Sequence, residues 1–330
     1  MLSALITYSS EMPLIQNSTY KRPKWLFNSH LETIYPAIFR KVELLKLTSE
    51  RITTPDGDFL ELDWYRNANS KLVIISHGLE GNSSRAYMLG MAKIFFKNGF
   101  DVLTWNFRGC GTEMNNQVIF YHSGATYDLD FVVKHAEKNY EEIHLIGFSL
   151  GGNLTLKYLG EKKSSIPKIK KGVAISVPMH LASSCEKISK GENTLYSKRF
   201  LKTLKEKVVK KSLAHPGKIP VGTLRNIKTL SDFDDYFTGP LHGFSDAEEY
   251  YEVNSSLYFL DQIEVPSLIL NAQNDPFLSE KCFPVHLSRN LEKVFFEFPK
   301  YGGHVGFSPE NSDLPYYSEQ RAIEFIAKGF

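Results

Sequence analysis

The 330-residue sequence predicts an α/β fold: a mostly parallel sheet that opens with an antiparallel N-terminal hairpin and carries a helical lid inserted before the penultimate strand. Three features carry that reading. Short β-rich runs alternate with helix-like stretches from Lys71 onward, the pattern of strands joined by helical crossovers. Ahead of them, "LLKLTSERITTPDGDFLELDWY" (44–65) holds two alternating segments about an Asp56-Gly57 turn. Between Pro178 and Pro266 the alternation stops for a stretch too long to be a loop, with helical spacing of its own at Leu201, Leu204 and Val208.

In chain order, residues 1–42 read as an arm packed on the core, with Trp25, Phe27 and Phe39 as its apolar contacts. The apolar stretch in "MLSALITYSSEMP" is short and has no basic flank, so no cleaved leader is expected. No run approaches the ~20 apolar residues of a membrane span. Residues 43–178 and 266–330 form the core, its later strands being "KLVIISHG", "FDVLTWNFRG", "IHLIGFS", "GVAISVP", "PSLILNA" and "KVFFEF". Residues 179–265 form the lid. Its basic run, Lys198, Arg199, Lys202, Lys205, Lys207, Lys210 and Lys211, reads as a solvated helix face, the alternative being contact with an anionic partner or membrane surface.

Lys plus Arg number 39 against 37 Asp plus Glu, so no global field favours nucleic acid. Cys110, Cys185 and Cys282 are far apart and form no CxxC pair, which argues against a disulfide framework or a zinc site and for a reducing cytoplasm.

The chemistry concentrates at "EEIHLIGFSLGGNLTLKYLGEKK" (141–163). Ile143, Leu145 and Ile146 make a strand, while Leu150, Leu154 and Tyr158 recur as on one helix face. Gly147 and Gly151 clear the space that a strained turn needs to lift the Ser149 hydroxyl above the sheet, and the following helix directs its N–H groups at the same spot. A serine nucleophile needs a base and an acid beyond the ends of later strands. Of His180, His215, His242, His286 and His304, only His304 follows the last strand, in the glycine-rich "PKYGGHVGF". Asp275 in "LILNAQNDPF" follows the penultimate strand, where a carboxylate can orient that imidazole. For the oxyanion, the expected donors are the backbone N–H groups of Leu150 and of Leu79, the latter in "HGLEGNSS".

Taken in order, "HGLEG", "NFRGCG", "YHSG", "GFSLGGN", "DFDDYFT", "HGFSDAEEYY", "NDPF" and "GGHVGF" resemble the YheT-like branch of the α/β-hydrolases, with its animal abhydrolase-domain proteins 1 to 3 and yeast medium-chain ester synthases. The resemblance implies an α/β-hydrolase fold and a serine esterase or acyltransferase whose charge relay falls on Ser149, Asp275 and His304. It also marks Arg108, His122 and Asp128, which we expect to organise loops rather than react. Two departures stand out: no N-terminal membrane anchor like that of many animal members is expected, and Glu32 in "HLETI" stands where relatives commonly carry Gln.

The expected protein is a cytoplasmic carboxylic-ester hydrolase acting on short- to medium-chain acyl esters through an acyl-serine, without metal or cofactor. Its partner is a small-molecule or lipid-like ester and not nucleic acid. Acyl transfer to an alcohol or thiol would use the same residues; a non-catalytic binding module on a retired scaffold is the remote alternative.

Overall fold

The computed structural model describes residues 13–311 and 313–328. Most of the stretch examined above for a leader therefore lies outside the described residues. The hairpin forms from β2 (Thr48–Thr53) and β3 (Phe59–Tyr65), closed by Thr54 N–H donating to the Asp58 carbonyl at 2.9 Å, with Gly57 in the left-handed region at φ 77°. Then come β4 (Lys71–Ser76), β5 (Asp101–Asn106), β6 (Glu142–Phe148), β7 (Ile169–Ile175), β8 (Ser267–Leu270) and β9 (Val294–Glu297). A two-residue strand, β1 (Leu14–Ile15), pairs parallel with β9 and completes one nine-stranded sheet in the order β1-β9-β8-β7-β6-β4-β5-β3-β2. The sequence reading treated this part of the arm only as packing, because two residues carry no periodicity.

Strands β4 to β6 are buried on both faces, which explains why they read as continuous apolar runs. Alternate residues feed opposite cores. Leu72, Ile74, Leu103 and Leu145 face α3 (Thr126–Ala136), α4 (Leu150–Lys162) and the lid, while Val73, Ile75, Val102 and Ile146 face α2 (Ala86–Lys97) and α10 (Tyr317–Lys328). Helix α4 has neighbours all round, with every residue from Leu150 to Gly160 buried. A buried Asn153 fastens it: its Nδ2 donates to the Ser123 and Asn254 carbonyls at 3.0 and 2.8 Å, and its Oδ1 accepts from Ser256 N–H at 2.9 Å.

On the other side of the chain, α1 (Ser29–Phe39) is capped by Asn28, whose side chain accepts from Leu31 N–H at 2.8 Å. Between β7 and β8 the chain runs through α5 (Leu181–Ile188), α6 (Thr194–Ala214), α7 (Leu230–Phe233), a π-helical turn (Asp234–Thr238), α8 (Gly239–Leu241) and α9 (Ala247–Asn254), and a 3-10 segment (Ser256–Gln262) returns it to α4. No helix among the described residues is long and apolar enough to cross a membrane.

The basic run of α6 differs from the solvated face expected of it. Lys198, Arg199, Lys202 and Lys210 are exposed, but Lys211 is fully buried, donating to the Asn115 carbonyl at 2.9 Å and to that of Gln117. Lys207 pairs with Glu80 at 2.6 Å, and Lys205 donates to the Ile227 carbonyl at 2.7 Å. The reason is geometric: Lys211 continues the inward stripe of Leu201, Leu204 and Val208.

His144 on β6 is buried with no partner for Nδ1 among the described residues, and burial pushes its imidazole down to about 4. It is therefore neutral in the fold while the unfolded chain takes up a proton near ~6.5, so its contribution to stability falls as pH drops from there toward 4. His144→Leu should gain relative to wild type by about 2 kcal/mol between pH 7 and pH 5. Denaturant titrations at the two pH values check this; equal differences at both would refute it.

Candidate active site

Ser149 sits at the junction of β6 and α4 with φ 52° and ψ −118°, a sparsely populated conformation for a residue with a side chain. The flanking glycines make it attainable. A Cβ on Gly147 would collide with the Gly151 backbone, and one on Gly151 would collide with the carbonyls of Ser76 and His77 at the end of β4. The loop after β4 presses equally close, since a Cβ on Gly78 would stand 3.2 Å from that of Ser149.

Three residues far apart in the chain meet here. His304 Nε2 lies 3.0 Å from Ser149 Oγ, and Nδ1 lies 2.8 Å from Asp275 Oδ2. A carboxylate only accepts, so Nδ1 carries the proton and Nε2 is left to accept from the serine. Asp275 is buried and also accepts from Phe277 N–H at 2.8 Å. Two of the other candidate histidines are occupied elsewhere: His180 caps α5, and His242 contacts the Thr238 and Phe120 carbonyls.

Leu79 and Leu150 both border the same cavity as Ser149. Leu150 opens α4, so its N–H has no acceptor within the helix. On either side of Leu79 the amides are taken up: Gly78 N–H donates to Tyr87 Oη at 3.0 Å and Glu80 N–H to Tyr121 Oη at 2.9 Å. Neither Leu79 nor Leu150 N–H finds an acceptor among the described residues. His77 braces this loop from below. Burial holds its imidazole down to about 3, so it stays neutral, with Nδ1–H donating to the Gly78 carbonyl at 2.8 Å and Nε2 accepting from Phe107 N–H at 3.1 Å.

Several supports were invisible in the sequence. The His304 loop is held by α1: Glu32 accepts from Gly302 N–H and from Asn274 Nδ2, and Thr33 Oγ1 accepts from His304 N–H at 2.9 Å. Arg22 closes the set with an ion pair to Glu32 at 3.1 Å, and Val305 N–H donates to Ser176 Oγ at 2.9 Å. In the sequence Glu32 is only an odd residue in "HLETI"; its partners Asn274 and Gly302 lie 242 and 270 positions away. Arg108 stands outside the cavity lining, gripping Asp128 through two hydrogen bonds of 2.8 and 2.7 Å and the hairpin turn through Asp56 and Asp58. His122 borders the cavity and is held neutral by burial.

The cavity has a volume of about 370 Å³ and mostly apolar walls, from Leu181, Ile188, Phe200, Leu204, Leu230 and Phe233 on the lid side. Of the apolar side chains on α6, Phe200 and Leu204 reach it. Leu195, Val209 and Tyr236 face solvent, while Leu201, Val208 and Phe237 pack inside the protein. A polar corner remains at Asp234, where burial pushes the carboxyl up to about 6 and the hydroxyls of Tyr251 and Thr238 donate to it at 2.7 and 2.6 Å. Among the described residues no group of three His, Cys, Asp or Glu side chains is placed to hold a metal ion.

This architecture defines a class: residues 71–308 match the α/β-hydrolase-fold family, and the chain belongs to it. Within it the chain falls in the YheT-like branch of esterase- and lipase-type hydrolases. It is 31% identical over 288 residues to Escherichia coli YheT, which carries an esterase designation, covering 85% of this chain and 84% of that one. It is 28% identical to the Bos taurus phospholipase ABHD3, covering 89% and 74%, and 30% identical to a Saccharomyces cerevisiae monoacylglycerol lipase, covering 75% and 57%. Among solved structures, the Pyrococcus furiosus esterase Pf2001 aligns with a TM-score of 0.56 at 19% identity, over 88% of this chain and 98% of that one, a likeness of fold.

Removing the Glu32 carboxylate strands the Gly302 amide in a buried place, at a cost of about 1–3 kcal/mol. Glu32→Ala should lower the unfolding free energy by that amount and speed hydrogen exchange at Gly302 and Gly303; Glu32→Gln, which keeps one acceptor, should do less. Unchanged exchange in Glu32→Ala would show that the loop stands without α1.

Proposed function

We propose that the protein is a serine carboxylic-ester hydrolase for short- to medium-chain acyl esters, working through an acyl-serine. The observation that carries this is the hydrogen-bonded chain Ser149, His304, Asp275 in the wall of an apolar cavity. Ser149 Oγ attacks the ester carbonyl carbon as its proton passes to His304 Nε2. Asp275 holds the imidazole in the right tautomer and stabilises its cation. The carbonyl oxygen, now anionic, is received by the N–H groups of Leu79 and Leu150 and by the positive end of α4. Collapse of the tetrahedral species expels the alcohol oxygen, which takes the proton from His304 and leaves the acyl group on Ser149. Water then repeats the sequence, giving its proton to His304 and ending as the carboxylic acid while Ser149 regains its hydrogen.

Selectivity for the acyl chain follows from the cavity, whose volume lies at the small end of the range typical of ligand sites. We place the enzyme in the reducing cytoplasm, a reading supported by Cys110, Cys185 and Cys282 as free thiols.

A fluorophosphonate probe should label wild type at a single serine, and Ser149→Ala should abolish the labelling. Labelling that persists in the variant would remove Ser149 from the role.

Each buried methylene contributes up to about 0.8 kcal/mol, so kcat/KM for p-nitrophenyl esters should rise several-fold per two carbons from acetate into medium chains, then fall once the cavity is full. A series that peaks at acetate would refute the apolar acyl site.

A further inference from the structure

Helix α1 is inside out. A helix on a protein in water turns its apolar stripe to the core; here Glu32 and Thr33 face inward, committed to the His304 loop, while Ile38 and Phe39 are 62% and 61% exposed. The turn before it adds Trp25 and Phe27, 52% and 68% exposed and so, like Phe39, not the core contacts the sequence suggested, with Trp25 leaning on the Tyr35 ring at 4.4 Å between centroids. Such a contiguous apolar surface marks a site of contact with an apolar partner. Two further facts say which partner. Ile34, Ala37 and Ile38 also line the cavity, so the outer apolar face runs on without a break into the site. The charges around it are cationic: residues 13–43 hold Lys21, Arg22, Lys24, Arg40 and Lys41 against Glu32 and Glu43, with Arg22 paired to buried Glu32, Arg40 to Glu319, and Glu43 engaged by Lys93 at 2.8 Å. Lys21, Lys24 and Lys41 are exposed. Exposed Arg199 of α6 lines the same cavity, and Glu192, in the turn just ahead of α6, is engaged by His30 at 3.0 Å.

The geometry points to α1 and the Trp25–Phe27 turn as a docking surface for an anionic lipid bilayer. Phe27, Ile38 and Phe39 enter the headgroup boundary, the lysines meet the anionic headgroups, and the cavity mouth faces the lipid. An ester dissolved in the bilayer then reaches Ser149 along apolar surface. Docking stands on the surface alone; only the delivery of an ester rests on the ester-hydrolase reading.

The full-length protein supplies its own reporter. Of its three tryptophans Trp64 and Trp105 are buried, so a change in emission on docking comes from Trp25. Phosphatidylcholine vesicles containing phosphatidylglycerol should shift that emission to the blue and carry the protein upward in flotation. Vesicles of phosphatidylcholine alone should do so less, and added salt should weaken the binding. A Phe27→Asp, Phe39→Asp double variant should lose about tenfold or more in vesicle affinity. It should keep fluorophosphonate labelling and turnover of a water-soluble short ester, and lose turnover of a medium-chain ester dissolved in the vesicles. Equal vesicle binding by wild type and variant would overturn the proposal. So would indifference to the anionic lipid, or a variant whose only change is its oligomeric state. Vesicle binding as described with no ester turned over by wild type in any form would leave docking standing and remove the ester reading instead.

Discussion

There is no room for a side chain two residues before Ser149 or two residues after it, and most of the site follows from that constraint. The β6–α4 turn passes so near the ends of β4 and α4 that a methyl on Gly147 or Gly151 would meet backbone. The same closeness holds Ser149 in its strained conformation, because the strand behind it and the helix ahead are both buried in the core. It also brings the loop after β4 to within van der Waals distance of the serine, so that Leu79 and Leu150 border one cavity. One crowded turn thus sets both the hydroxyl and the loop that faces it.

The histidine side of the site is built on the opposite principle. Between Gly302 and Phe307 four residues, Gly302, Gly303, Val305 and Phe307, have positive φ. A loop of that shape does not hold itself, since Val305 and Phe307 each carry backbone strain on the order of 1–3 kcal/mol. What holds it is borrowed from elsewhere: Glu32 and Thr33 from α1, Asn274 from beside Asp275, Ser176 from the end of β7. Polar groups spent inward in this way leave α1 with its apolar residues outside, so the shape of the histidine loop and the character of the outer surface are two results of one packing arrangement.

The lid is fastened by charge in a similar way. Lys207 reaches Glu80, next to Leu79, and Lys211 is enclosed by the carbonyls of residues 115–119. Burying an ammonium group is costly unless it is paired or fully hydrogen-bonded, and both lysines meet that condition. Lys207 pins α6 over the loop after β4 and Lys211 pins it over the loop after β5, so the wall of the cavity and the loop beside the serine are mechanically joined.

Local physics made much of this legible in the sequence. The strands announce themselves because both faces are buried, the turn at Ser149 because only glycines fit, and the places of Asp275 and His304 because a parallel sheet presents its loops at one end. What the sequence did not disclose are contacts between segments that share no local pattern. Glu32 and Gly302 are 270 residues apart, and nothing in "HLETI" says that its carboxylate points inward. Lys207 and Lys211 looked like solvent-facing charges, although their spacing on the stripe of Leu204 and Val208 already pointed them inward. The residues alone determined the fold class and the candidate nucleophile, because steric and periodic constraints act over a few neighbours. The outward face of α1, the grip on the His304 loop and the enclosure of two lysines were decided only when the arm, the lid and the sheet met, because the partners that satisfy buried polar groups are chosen by proximity in space.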